Sequence, residues 1–111
     1  MKLPILDSEE CCSPRRRLKA KDVVGFTALL RALSDETRLQ IVAHLGATGG
    51  AVCVCDIEAR FDLKQPTISH HLRVLRDAGL VSAEKRGTWV YYRVDVDRID
   101  ALLQLHQLLS A

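Results

Sequence analysis

Four thiols and one run of hydrogen-bonding side chains carry the chemistry available to this chain. Cys53 and Cys55 stand two positions apart, and Cys11 and Cys12 are adjacent. Thiolates are soft ligands that select thiophilic ions over magnesium or calcium. Nearby thiols can also close into a disulfide, so a metal site and a redox switch are both open to these residues. Shortly after Cys55 come Lys64, Gln65, Thr67, Ser69, His70 and Arg73, and further on Lys85 and Arg86. Gln65 can bond an adenine edge in a bidentate way, and Arg73 can reach guanine or phosphate. Thr67, Ser69 and His70 suit close contacts or phosphate. Enzyme chemistry finds little to work with: the chain has no Gly-rich phosphate loop, no HExxH and no CxxC. Ser69 and His70 are helix neighbours, which cannot aim at one another as a catalytic pair.

The elements that must position these groups can be read in order. Residues 1–18 mix Pro4, Pro14 and charges with little periodicity and read as a flexible arm carrying the Cys11–Cys12 pair. Residues 19–111 read as one domain. Val23, Phe26, Leu30 and Leu33, joined by Val24 and Leu29, recur at helical spacing and predict a helix ending at Leu33. Ser34 is the expected cap of a second helix, with Asp35 and Glu36 opposing the dipole of its first turn. That helix should turn Leu39, Val42 and Ala43 to one face and end near Gly46, before the Gly49–Gly50 loop. A short helix follows from Cys53 or Cys55 to about Phe61, then a turn at Asp62-Leu63-Lys64. Gln65-Pro66 opens the next helix, where the missing proline N–H costs nothing. Its apolar stripe is Ile68, Leu72 and Leu75, with His70, Arg73 and Asp77 opposite, and Gly79 stops it. Leu80–Glu84 and Thr88–Val94 read as strands joined by a basic turn, Lys85-Arg86-Gly87. Asp95 or Asp97 opens a closing helix through Ile99, Leu102, Leu103, His106 and Leu109. The expectation is a mainly α fold with a β-hairpin, in the order α-α-α-α-β-β-α.

Two helices joined by a tight turn, then a basic hairpin, suit DNA. The second helix of such a pair enters the major groove by its N-terminal residues while the first braces the backbone. Composition narrows the partners. The 111 residues suffice for one modest core. No apolar run approaches the ~20 residues that span a bilayer, so no membrane partner is expected. The N-terminus lacks a signal-peptide pattern, which puts the protein in the cytoplasm. There cysteines stay reduced or bind metal. Net charge is only +2, so the basic residues matter by their clustering at Arg15–Arg17, Lys19 and Lys21 and again at Lys85, Arg86 and Arg93. Aromatic content of 5% argues against a base-stacking single-strand binder.

The blocks ALSDETRLQIVAHL, CVCDIEARF, QPTISHHLRVLRDAGLV and RGTWVYYRV, in this order over about residues 20–110, resemble the ArsR/SmtB family of metal-responsive repressors. The resemblance implies a winged-helix homodimer, paired through its first and last helices, that represses an operon by binding palindromic operator DNA and leaves it when metal binds. The leucines crowded at positions 102, 103, 105, 108 and 109 fit such pairing, since so small a core cannot bury them all. Lys64 stands where the family commonly carries a serine cap. Cys53-Val54-Cys55-Asp56 resembles the family's metal box, and both thiols can face one ion only if Cys53 lies at or before the helix cap.

The arsenic-responsive branch often has a third cysteine at the position of Glu58, so here the missing sulfur is expected from Cys11 or Cys12. An adjacent pair fits arsenic(III), which takes three thiolates in a pyramid. Cadmium and lead accept three or four, and zinc remains a further alternative. The family's closing-helix zinc site is incomplete here, since only His106 stands late, with Asp95, Asp97 or Asp100 early. His71 is expected to pack inward, and His44 to be an ordinary surface or core residue. Two readings from other classes stay open: a thiol redox switch, and a winged helix that binds protein instead of DNA.

Overall fold

The computed structural model describes residues 18–110. The arm cysteines Cys11 and Cys12 and the run Arg15–Arg17 therefore lie outside the described residues. Helix α1 spans Ala20–Leu33 and α2 spans Glu36–Thr48. A two-residue strand β1, Val52–Cys53, leads directly into α3, Val54–Phe61, and α4 spans Gln65–Asp77. Strands β2, Val81–Arg86, and β3, Trp89–Val94, form the hairpin, and α5 spans Val96–Ser110. The sheet is antiparallel in the order β1-β3-β2. The expected helix order is observed, with β1 as an addition.

The core is built where the α4 stripe meets α1, α2 and α3. Ile68, Leu72 and Leu75 are fully buried against Leu29, Ile41, Leu45 and Ile57. Each such side chain contributes about 1.5–3 kcal/mol by leaving water. On α2 the buried face is Ile41, Val42 and Leu45, whereas Leu39 and Ala43 are exposed. Of the expected face only Val42 is buried, with Ile41 and Leu45 in place of Leu39 and Ala43.

The cap of α2 also differs from expectation. Asp35, not Ser34, has the extended backbone of an N-cap, and its carboxylate accepts the Arg38 N–H at 3.0 Å. Ser34 instead closes α1, its backbone N–H and its hydroxyl both donating to the Arg31 carbonyl. The Arg38 N–H, and then the nearby Arg38 and His71 side chains, hold the Asp35 carboxyl below its ordinary pKa against the opposing effect of desolvation. A carboxylate with a lowered folded pKa adds stability that is complete above its unfolded value, ~3.9, and is lost as pH falls through the folded value. Asp35→Asn, which keeps a capping oxygen but cannot titrate, is therefore expected to flatten the acid limb. Below about pH 4, urea midpoints of the wild type should fall more steeply than those of the variant. Parallel acid limbs would exclude this role for Asp35.

The hairpin turns later than its sequence suggests. Lys85 pairs with Val90 and Arg86 with Trp89 inside the ladder, leaving Gly87-Thr88 as the two-residue loop. Gly87 takes φ 64°, a left-handed value suited to glycine at the first position of a tight hairpin loop. At the far end, α5 is capped by Asp95, whose side chain accepts the Arg98 N–H at 3.1 Å.

Candidate nucleic-acid interface and thiol site

The polar residues predicted on α4 share one exposed surface. Lys64 is the N-cap, in extended backbone and without a side-chain cap bond, and Pro66 lies in the first turn. Gln65, Thr67, Ser69, His70 and Arg73 are all exposed, while Ile68, Leu72 and Leu75 anchor the other side. The positive end of the helix dipole at that N-terminus attracts phosphate, although Pro66 has no N–H and those of Thr67 and Ile68 donate to the Lys64 carbonyl. His71 turns inward, as expected, with its Nδ1 3.4 Å from Arg38 Nη1. Arg38 in turn donates through Nε to the Ala32 carbonyl at 2.7 Å, so one guanidinium joins α1, α2 and α4.

Lys85 and Arg86 are exposed on the hairpin but occupy adjacent strand positions, which face opposite sides of the ribbon. Arg86 is engaged within the wing, bonded to Glu84 at 3.0 Å and lying over the Tyr91 ring at 4.5 Å. Trp89, 54% exposed beside the loop, was not singled out from the sequence. Its exposure could not be read from a strand whose neighbours Val90, Tyr91 and Tyr92 are also apolar.

The thiols meet the geometric condition stated above. Cys53 is the N-cap of α3 with φ −62° and ψ 140°, so it precedes the helical turn that holds Cys55. It makes no side-chain cap bond, which leaves its sulfur uncommitted to the helix. Cys53 is buried and Cys55 exposed, and neither is in a disulfide. A hydrogen bond with the Cys53 side chain, followed by desolvation and the proximity of Cys53 and Asp56, raises the Cys55 pKa. The Cys53 side chain thus lies close enough to Cys55 to disfavour its thiolate. As a donor set the two sulfurs fit a thiophilic ion, but only as two of its ligands. Among the described residues no group of three His, Cys, Asp or Glu side chains could hold a metal ion. Glu58 does not complete the pair, and Asp95, Asp97, Asp100 and His106 do not assemble a closing-helix site. His44 is half-buried with its ring edge-on to Phe61 at 6.1 Å.

Cys53 is also a sheet residue. It pairs with Tyr91 of the central strand β3, and Tyr91 lies beneath Arg86. The same residue thus caps the helix that braces α4 and anchors the strand that forms the wing.

Comparison with known proteins adds four findings. The description "Bacterial regulatory protein, arsR family" matches residues 35–83. The arsenical resistance operon repressor of Bacillus subtilis is 40% identical over 73 residues, covering 66% of this chain and 69% of that protein. The cadmium resistance transcriptional regulatory protein CadC homolog of Staphylococcus aureus is 33% identical over 96 residues, 84% of this chain and 78% of that protein. Among solved structures, the homodimeric winged helix-turn-helix DNA-binding domain of a Mycobacterium bovis protein superposes with a TM-score of 0.65. It is 33% identical, and the match covers 79% of this chain and 82% of that one.

Proposed function

The chain belongs to the arsR family of bacterial regulatory proteins, a winged-helix transcriptional regulator and not an enzyme, and from that premise we propose that it is a homodimeric repressor released from operator DNA by arsenic(III). The N-terminal half of α4 enters the major groove, where Gln65, Thr67, Ser69, His70 and Arg73 meet bases and phosphates, with Lys64 at its mouth. Lys85 and Arg86 carry the wing to the neighbouring backbone. Two protomers joined through α1 and α5 set two such helices about one DNA turn, ~34–36 Å, apart on a palindrome.

The observation that carries the effector half of this reading is the placement of Cys53 and Cys55. Cys53 ends β1 and is the N-cap of α3, Cys55 lies in the first turn of α3, and the extended backbone at Cys53 lets both sulfurs face one ion. Cys11, Cys12 or both would complete the ligand set. Ligation at Cys53 acts on the N-terminus of α3, which packs against α4, and on its ladder partner Tyr91 in the wing, hence on both elements proposed to touch DNA. Moving the regulator from almost all bound to almost all free needs an effector preference of ~5.5 kcal/mol for the released form. Cadmium or lead is the second reading, favoured by the match to a cadmium resistance regulator and by four thiols in the chain. Zinc ranks below both, since the chain carries only His106 late in the closing helix, with Asp95, Asp97 or Asp100 early, an incomplete His/Asp set.

The test uses a duplex selected by the protein from a random-sequence library, with release followed by fluorescence anisotropy under reducing conditions. Arsenite is expected to release it at lower concentration than cadmium, lead or zinc. Release by none of these ions overturns the metal-sensor reading. Release by oxidant alone, reversed by thiol, supports a redox switch instead. Failure to select any duplex at low salt favours a protein-binding winged helix.

A further inference from the structure

The C-terminal end of α4 is tied to α5 and α1 through one side chain, and we propose that Arg98 on α5 is the positioning residue that fixes the recognition helix relative to the dimer axis. The inference rests on the reading of α4 as the recognition helix and of α1 and α5 as the dimerisation helices. After Asp77 the chain forms a complete two-bond stop: the Gly79 N–H donates to the Arg76 carbonyl at 2.9 Å and the Leu80 N–H to the Leu75 carbonyl at 3.0 Å. Gly79 sits at φ 78° to permit it. Leu80 and Leu75 are both fully buried, so the stop is also locked by packing.

Onto this end comes α5. The Asp95 N–H donates to the Leu80 carbonyl at 2.9 Å, and the Asp95 carboxylate then orders the first turn of α5 by accepting the Arg98 N–H. That turn aims the guanidinium back at α4. Arg98 Nε donates to the carbonyl of Ala78, the C-cap of α4, at 3.1 Å. Its Nη2 donates to the Gly25 carbonyl of α1 at 3.3 Å. A half-buried cation thus lies at the negative end of the α4 dipole, where a positive charge is favoured. It reaches from α5 to α4 and α1 at once. No hydrophobic contact fixes an angle in this way, because a planar guanidinium with two accepted bonds leaves little freedom about either.

In a two-fold dimer this tie has a consequence that a local stabiliser lacks. The separation of two recognition helices is set by how each α4 is joined to the paired α1 and α5. Loosening the joint blurs the separation without changing the residues that touch bases.

The discriminating measurement compares the selected duplex with the same duplex carrying one base pair inserted at its centre. Wild type is expected to bind the inserted duplex much more weakly. Arg98→Met keeps the packing stem but removes both bonds, and the preference should fall by about tenfold, as expected for losing hydrogen bonds from a charged donor. Arg98→Lys keeps the charge near Ala78 but cannot serve both carbonyls, and an intermediate ratio is expected. It carries the test if the methionine variant does not fold. Variants that melt earlier yet keep the wild-type ratio overturn the positioning role and leave the DNA reading standing. A wild type that binds the inserted duplex equally well overturns the positioning role together with the two-fold spacing of recognition helices on which it rests.

Discussion

Replacing Cys53 and Cys55 together by serine is expected to leave metal-free DNA binding within about threefold of wild type, while the arsenite needed for release rises by at least about a hundredfold. A serine hydroxyl is a hard, protonated donor near neutral pH and offers a thiophilic ion little. The variant is also unusually clean. Cys53 occupies an N-cap without making a cap bond, and serine is among the residues preferred there, so the change should support α3 if it does anything. Cys55 is exposed, and a smaller polar atom there leaves no cavity. Loss of response therefore could not be blamed on loss of fold. Anisotropy titrations would read both quantities. An unchanged arsenite midpoint would remove Cys53 and Cys55 from the effector site. Serine at Cys11, at Cys12 and at both would then show which arm sulfur joins them. A requirement for only one favours the three-thiolate pyramid of arsenic(III), and a requirement for both favours the larger coordination of cadmium or lead.

The parts of this site that repeat locally were legible in the sequence. Ile68, Leu72 and Leu75 recur at helical spacing on a helix otherwise polar, so the buried and exposed faces of α4 could be assigned together. On α2 the same method picked the wrong stripe. Leu39, Ile41, Val42, Ala43 and Leu45 surround much of that helix, and only its packing against α1, α4 and β3 decides that Leu39 faces solvent. The strand β1 is two residues long, too short for any periodic signal, and it exists because β3 offers Tyr91 and Tyr92 as ladder partners. The basic hairpin turn was misplaced because Lys85 and Arg86 are exposed whether they lie in a turn or at the end of a two-stranded ribbon. The joints were invisible for a different reason. Arg38 meets His71 across 33 positions, and Arg98 meets Ala78 across 20 and Gly25 across 73. No spacing rule pairs residues that far apart; topology brings them together.

Charge placed on the unpaired apolar faces of α1 and α5 is expected to separate the protomers and, with them, most of the DNA affinity. Val23 and Leu30 on α1 are 45% and 46% exposed, and Val96 and Leu103 on α5 are 65% and 64% exposed, each pair seven residues apart and so on one helix face. Single exposed apolar residues mean little, but two adjoining helices that both present them form a patch of the kind that marks an interface. The α5 side of the intrachain core is held instead by Ile99 and Leu102, which pack against it, and Leu105 is also buried. Leu103→Glu and Leu30→Glu should therefore leave each protomer folded by far-UV circular dichroism while sedimentation shows a monomer. Each monomer keeps one intact recognition helix, so contacts to a half-site survive. What disappears is the second, effectively intramolecular, engagement, and affinity for the selected duplex should fall by about 10²–10⁴. Affinity for a duplex carrying one half-site should change little. Variants that stay dimeric with wild-type affinity would move the two-fold axis away from α1 and α5. A monomer that still bound the full duplex tightly would remove the need for two recognition helices altogether.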